Sequence, residues 1–408
     1  MSDSWQSELD QRIDGRFDQI VEIRRRLHMY PEVSGDERQT SLYLYQLLGD
    51  EGFFVRMGPD GRGVLADLPT DADPTGQGMI ALRADIDALR IHDAKETEYR
   101  SQHDGVMHAC GHDAHTAIVF GAICSLNDLQ NAGRLPWNVR LRGIFQPAEE
   151  TSTGALEMIG VGALDGVDAI VAAHMDPARR VGRIGLRSGV FTAASDLVQV
   201  NIVGRGGHAA RPHEASDPIA AAAQLINALY LFIPRATDSQ DSVVITIGQL
   251  IGGDNANVIP EEVTLRGTVR TLESDVRAET FDHIRRLASG IGQTTDTKIQ
   301  VRFGENSNSI NNDARLIDLL DRSGREVLGP QGIEQIPRPS MGSEDFALYV
   351  EKTPGAMFRL GCTSERAGGF PLHSPTFDID EEALREGAKI LARTVVYWSD
   401  PNSQFESS

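Results

Sequence analysis

The chain has 408 residues and a formal charge of −20, with 40% hydrophobic, 24% charged and 6% aromatic residues. That length favours two domains, each large enough to bury a core, and the composition is that of a soluble globular α/β protein, which excludes a disordered or fibrous one. The negative charge repels phosphate backbones and anionic lipid, so nucleic-acid and membrane partners are not expected. Residues 1–18 lack the basic start and apolar stretch of a secretory signal, and no apolar run is expected to reach bilayer-spanning length. The expected location is the cytoplasm. Three cysteines cannot all pair within one chain; Cys124 and Cys362 sit in apolar patterns as small core residues, whereas Cys110 does not.

In chain order, apolar periodicity predicts a helix over residues 17–27, ended by Pro31, a strand over 79–82 leading into Arg83-Ala84-Asp85, and a helix over 113–129. A strand carrying Val139, Leu141 and Phe145 stops at Pro147, and the apolar stretch 169–173 reads as a strand buried on both faces. Strands and helices alternate as in a parallel sheet covered by helices. From about residue 195 the order becomes strand 197–203, helix 218–232, strands 243–250 and 263–270, helix 275–291, strand 298–303. This β-α-β-β-α-β order is the ferredoxin-like unit, with Gly206-Gly207 and Gly252-Gly253 marking loops. The first rhythm resumes with a helix over 314–328, a strand over 356–361 and a helix over 381–398 behind Asp380 as N-cap. The expected architecture is an α/β domain of mostly parallel sheet flanked by helices, residues 1–190 and 305–408, interrupted by an α+β insert, residues 191–304.

The densest chemistry is His108-Ala109-Cys110-Gly111-His112-Asp113-Ala114-His115, in a loop that opens a helix. Thiolate and imidazole both suit a borderline-soft divalent ion, and Cys-x-His brings two ligands to one site from a tight turn; the plainer reading is a polar loop with one buried cysteine. Glu149-Glu150 ends a predicted strand, where the sites of open α/β sheets form. Adjacent carboxylates on an irregular turn point apart, so one can ligate a metal while the other faces water and substrate; a solvated loop or acidic helix start is the alternative. His174 ends another predicted strand, and His373 lies in the rigid loop Pro371-Leu372-His373-Ser374-Pro375. Either histidine alone reads as a core or cap residue. Cys/His, Glu/Glu and His drawn from three strand ends or adjoining loops make a shared metal site the better explanation. Asp113 and His115 are candidates for orienting the ligands, with Asp85 less well supported. His92, His103, His213 and His283 carry no assigned role, and Met341-Gly342-Ser343-Glu344-Asp345 reads equally as a site signature or an ordinary helix start.

Together, Leu27-His28 with Pro31-Glu32, the segment from His108 to Asp113, Gln146-Pro147-Ala148-Glu149-Glu150, Gly206-Gly207-His208-Ala209-Ala210 with Pro212-His213, and His373-Ser374-Pro375 resemble the aminoacylase/carboxypeptidase-type dinuclear metallohydrolases. Within them the chain is similar to the amidohydrolase branch of hippurate hydrolase and the indole-acetyl-amino-acid hydrolases, over nearly its whole length and in the family's order. The resemblance implies a zinc-peptidase-like catalytic domain with an inserted dimerisation or lid domain. It implies two divalent ions per subunit held by Cys110, His112, Glu150, His174 and His373, with Glu149 as general base. Zinc is the expected metal, and manganese, cobalt and nickel are alternatives. The implied reaction is hydrolysis of the amide of an N-acyl amino acid or similar small conjugate; a dipeptidase or carboxypeptidase of the same fold is the alternative.

By the same resemblance His208 steadies the tetrahedral oxyanion from across a homodimer. Asn257 and Arg270 are candidates for gripping a substrate carboxylate, the arginine because its planar fork binds one bidentately. Two departures stand out. The wider family carries a histidine ligand where this chain has Arg83-Ala84-Asp85, and the segment after His174, with Met175, Asp176 and two arginines, differs from the aromatic and proline-rich run of hippurate-type members. A cysteine-nucleophile hydrolase built on Cys110 and a non-catalytic binding protein are the rival readings; the first leaves Glu149, Glu150, His174 and His373 unused.

Overall fold

A computed structural model describes residues 4–70, 78–365 and 367–402. The chain divides into two units, one of Met1–Phe191, Asn311–Arg338 and Asp345–Ser408, the other of Thr192–Ile310 and Pro339–Glu344. The first opens with α1 (Trp5–Gly15), α2 (Phe17–Met29), α3 (Arg38–Asp50), β1 (Phe54–Met57), β2 (Val64–Asp67) and β3 (Met79–Asp85). It continues with α4 (His112–Asn131), β4 (Leu141–Gln146), α5 (Gly154–Gly160), β5 (Val167–Arg180), β6 (Ile184–Leu186) and β7 (Gly189–Val190). The second unit supplies β8 (Ala194–Val203), β9 (Gly207–His208), α6 (Pro218–Ala236), β10 (Val243–Ile251), β11 (Val258–Ile259), β12 (Glu262–Thr271), α7 (Ser274–Thr295) and β13 (Lys298–Ser307). The chain returns to the first through β14 (Asn311–Asn312), α8 (Ala314–Leu328), β15 (Ile333–Gln335), α9 (Ala347–Val350), β16 (Gly355–Thr363) and α10 (Glu382–Trp398).

The first unit is built on an eight-stranded sheet in the order β1-β2-β4-β3-β5-β16-β6-β15. Its centre, β4-β3-β5-β16, is parallel, and every residue of β4 is buried, as a strand covered on both faces requires. The sheet is mostly parallel, as expected, with β6–β15 parallel as well, and antiparallel pairs are confined to β1–β2, β2–β4 and β6–β16. A short hairpin such as β1–β2 needs no crossover helix, so it joins the sheet antiparallel. Gly121 of α4 lets three helices converge; a Cβ there would lie 2.5 Å from Ile20 of α2 and 3.5 Å from Ala388 of α10. Asp380 accepts the Glu382 N–H at 3.1 Å at the start of α10.

His174 was expected at a strand end, and its setting is different. β5 pairs with β3 only as far as Ala172, then runs on beside β16 to Arg180. His174 is therefore inside a strand, past the last residue that pairs with β3 and level with that strand's final residue, Asp85.

The second unit has the order β10-β12-β8-β13, all antiparallel, the arrangement that a β-α-β-β-α-β chain gives when both helices cover one face. Val198, Val200, Ile202, Leu225, Leu229, Val263, Leu265, Val269 and Ile284 form its core. α6 is, contrary to expectation, long and apolar enough to cross a membrane by length and composition. Here Ala221, Ala222, Leu225, Leu229 and Ile233 bury one face of it, while Tyr230, Leu231 and Phe232 are exposed. Gly206-Gly207, expected as a loop, leads straight into a strand, because Gly207 and His208 pair with Ile259 and Val258. A Cβ on Gly206 would lie 2.8 Å from the Ile259 carbonyl, so glycine here permits close strand approach rather than a turn. Pro339–Glu344 joins this unit through a Thr192–Ser340 bridge and an Ala193 N–H donated to the Gly342 carbonyl at 3.1 Å.

Candidate metal centre

Cys110 and His112 flank Gly111, whose φ of +90° forms the turn into α4. A Cβ at that position would also meet Met175 at 2.8 Å, so glycine is required twice over. His112 Nδ1 lies 2.9 Å from the Asp87 carbonyl and 3.1 Å from Asp87 Oδ1. Nδ1 therefore keeps its proton toward Asp87, and Nε2 is the nitrogen that a cation can claim. Nε2 is buried with no hydrogen-bond partner; Asp85 Oδ2, Glu149 Oε2 and Glu150 Oε1 stand off at 3.7, 3.9 and 4.0 Å. Glu150 Oε1 is likewise buried without a hydrogen bond, with His373 Nε2 3.4 Å away. Leaving such atoms unpaired costs about 1–3 kcal/mol each, and a cation among them removes that cost.

The remaining candidates converge on the same space. Cys110 Sγ is 3.7 Å from His174 Nε2, and His174 Nδ1 donates to the Met175 carbonyl at 2.8 Å, which frees Nε2 as a ligand. The ligand atoms of Cys110, His112 and His174 lie within 4.8 Å of one another, and so do those of Cys110, Glu150 and His373. Cys110 belongs to both groups. Glu149 forms a third group with His112 and Glu150, and its side chain is almost wholly buried.

The electrostatics are those of an anionic pocket. His373, beside Cys110 and Glu150, is pushed up to about 10. Burial pulls His112 down, but Asp85, Cys110 and Asp87 outweigh it and hold the imidazole well above its usual range. His174, buried and facing Arg359, is driven the other way and stays neutral. A field that retains protons on two histidines is one that a divalent cation can take over, displacing those protons.

Backbone strain is concentrated here. Ala148, Ser152 and His373 have φ of +52°, +55° and +61°. Left-handed backbone costs a non-glycine residue about 1–2 kcal/mol and persists where the surroundings dictate it. They do so at the turn after β4. The Ala148 N–H donates to Glu37 Oε1 at 2.8 Å, and the Ala148 carbonyl accepts from Thr153 and Gly154. Glu150 N–H donates to Asp87 Oδ2 at 3.0 Å, and the His373 N–H donates to the Ala109 carbonyl at 2.8 Å.

Among the residues expected to orient ligands, His115 gives Nδ1–H to Asp85 Oδ1 at 2.6 Å and accepts the Met175 N–H on Nε2 at 2.9 Å, so both ring nitrogens are spent on structure. Asp113 accepts from Arg24 at 3.0 Å and His28 at 2.7 Å, pinning the start of α4 to α2. Arg83 lies near the end of β3. Fully buried, it ties Asp85 to Asp345 and Gln146 at 2.5, 2.9 and 2.9 Å. Sequence reasoning missed Asp87, Glu37 and Arg83 as supports. For Asp87 a signal was present, a second aspartate just past the end of β3; Glu37 resembles any acid opening a helix.

In the second unit His208 and Asn257 come together, both exposed: Val258 pairs with His208, and the Ala209 N–H donates to the Asn257 carbonyl at 3.1 Å. His208 Nδ1 accepts from the Ala210 N–H at 3.0 Å, leaving Nε2 outward. Arg270, half-buried on β12, donates to the Met341 carbonyl at 3.0 Å and approaches Ser343 Oγ at 3.4 Å.

The model for peptidase family M20/M25/M40 matches residues 81–397. An N-acetyl-L-cysteine deacetylase of Bacillus subtilis is 37% identical over 390 residues, 96% of this chain and 90% of the relative. An IAA-amino acid hydrolase (ILR1-like) of Arabidopsis thaliana is 34% identical over 384 residues, 94% of this chain and 85% of the relative. The crystal structure of a dinuclear metal-binding M20 peptidase from Bacillus subtilis superposes with a TM-score of 0.80 at 33% identity, covering 95% of this chain and 99% of that one.

Proposed function

The chain belongs to peptidase family M20/M25/M40 and is a metal-dependent hydrolase of small amides, and from that premise we propose an N-acyl amino acid deacylase whose two divalent ions would be held by Cys110, His112, Glu150, His174 and His373. The single observation that carries this reading is the pair of ligand groups, Cys110/His112/His174 and Cys110/Glu150/His373, with the Cys110 sulfur in common. Thiolate with imidazole and one carboxylate suits zinc; manganese, cobalt and nickel are the alternatives to test. Divalent ions held there supply Lewis acidity to the scissile carbonyl and lower the pKa of the attacking water.

The protein's own groups do the rest. Glu149, close to both ligand groups yet a member of neither, takes a proton from the attacking water and delivers it to the leaving nitrogen. His208 presents Nε2 to the developing oxyanion, and Asn257 and Arg270 hold the substrate carboxylate. His208 acts on the partner subunit's site in a homodimer. The insert supports that assembly: β10 is an edge strand exposing Val244, Leu250 and Ile251, and α6 exposes Ile219, Tyr230 and Leu231. The buried free thiols Cys110, Cys124 and Cys362 accord with a reducing, cytoplasmic setting.

Metal counting tests the shared ligand. With two ions in the wild type, Cys110→Ser should retain fewer than one, whereas His174→Ala and His373→Ala should each retain about one. Two ions in Cys110→Ser would defeat the arrangement.

A further inference from the structure

We propose that Glu37 is a positioning residue for the general base, its carboxylate holding the left-handed turn that aims Glu149; this rests on the reading of Glu149 as the base. The β3–β4 ladder ends at Gln146, so the Ala148 N–H lies beyond any strand partner. Glu37 takes that place from another element. Located where α3 begins, and completely buried, it receives the Gly35 N–H at 3.0 Å and the Ala148 N–H at 2.8 Å on the same oxygen, Oε1.

The far side of that residue is fixed as well. The Ala148 carbonyl takes the N–H groups of Thr153 and Gly154, and a Cβ on Gly154 would sit 1.5 Å from the Pro147 carbonyl, so the chain is folded tightly back on itself. With both peptide groups of Ala148 clamped, its φ of +52° is imposed, and the Cα–Cβ direction of Glu149 follows. Arg62 extends the frame. Its Nη1 is 3.5 Å from Glu37 Oε2, and its Nη2 is 2.9 Å from Glu157 on α5, the helix that follows the turn.

What the turn needs from Glu37 is an acceptor rather than a charge. Burial pushes the Glu37 carboxyl up from its usual range, against the N–H groups that favour its ionised form, so the site does not select for charge. Gln keeps the accepting oxygen at the same reach. Ala removes it and leaves the Ala148 N–H unpaired.

The test compares Glu37→Ala, Glu37→Gln and Glu149→Gln by steady-state kinetics on the best N-acyl amino acid substrate of the wild type, with metal content measured on each preparation. Glu37→Ala should lose roughly 30- to 100-fold in kcat, the scale of an ångström-level misplacement, at unchanged KM and metal content. Glu37→Gln should stay within about threefold, since it conserves the acceptor. Wild-type kcat in Glu37→Ala, equal impairment of Glu37→Gln, or metal loss that tracks the activity loss each overturn the proposal. If Glu37→Ala fails to fold, Glu37→Asp withdraws the acceptor by one methylene; it should show the same kcat loss, and wild-type kcat there also overturns it. The two readings separate cleanly: an active Glu149→Gln defeats the assignment of the base, whereas an inactive Glu149→Gln beside a fully active Glu37→Ala defeats Glu37 alone.

Discussion

The loops around Cys110 and the β9–β11 pair of the insert carry chemical side chains in opposite physical states. In the first, His112, Glu150 and His174 have one polar atom tied to a named partner and another left toward a shared space, within strained backbone braced from neighbouring elements. In the second, His208 and Asn257 are exposed, and their fixed contacts come from within the same pair of short strands. A metal site must exist before substrate arrives, because its ligands are too polar to bury without the ion. A donor to substrate can wait exposed until substrate or a partner subunit covers it. On the proposed reading, burial and bracing distinguish the residues that assemble a metal centre from those that complete it around substrate.

Removing the ions should have the largest effect. A chelator should abolish amide hydrolysis, and one of zinc, manganese, cobalt or nickel should restore it; a thiol nucleophile would work without metal. Glu149→Gln should come next, losing about 10³- to 10⁴-fold in kcat while keeping both ions by elemental analysis, as loss of a general base does. Turnover within tenfold of wild type would erase the distinction between Glu149 and Glu150.

His208→Ala should lose about 10²- to 10³-fold, the cost of one oxyanion donor, with metal content intact. Mixed with Glu149→Gln under subunit exchange, it should recover about a quarter of wild-type activity, since half of the dimers then hold one complete site out of two. No recovery after exchange proven by mass spectrometry would place His208 in its own subunit's site or outside the chemistry.

The same contrast governs how much could be read in advance. Cys110 and His112 stand out because two kinds of candidate ligand share one turn, and the ferredoxin-like order of the insert follows from local periodicity. The supports do not. Glu37 serves a backbone N–H 111 residues away, and Arg83 holds an aspartate 262 residues away; neither spacing leaves a mark on the local pattern. The finer detail of the sheet was hidden for a related reason. A strand pattern does not encode which neighbour it joins, so the antiparallel flanks and the extension of β5 past His174 emerge only with the pairing.

The smallest effect expected is on stability, and it asks whether bracing at the centre is bought at a cost. Burial raises the Glu37 carboxyl, and the Arg62 guanidinium 3.5 Å away does not reverse that direction. A group whose pKa is raised on folding binds its proton more tightly in the native state. Its penalty is therefore absent below the unfolded value of about 4.3 and grows as pH rises through the folded one. Gln does not titrate and keeps the same accepting oxygen. Glu37→Gln should melt higher than wild type at pH 8, by about 2–4 °C if the isosteric change is worth ~1 kcal/mol in a domain of this size. The gap should close as pH falls toward 4. A variant that melts lower at pH 8, or a gap independent of pH, would mean that Arg62 and Glu37 form a stabilising pair, and that the turn before Glu149 is held by charge as well as by hydrogen bonding.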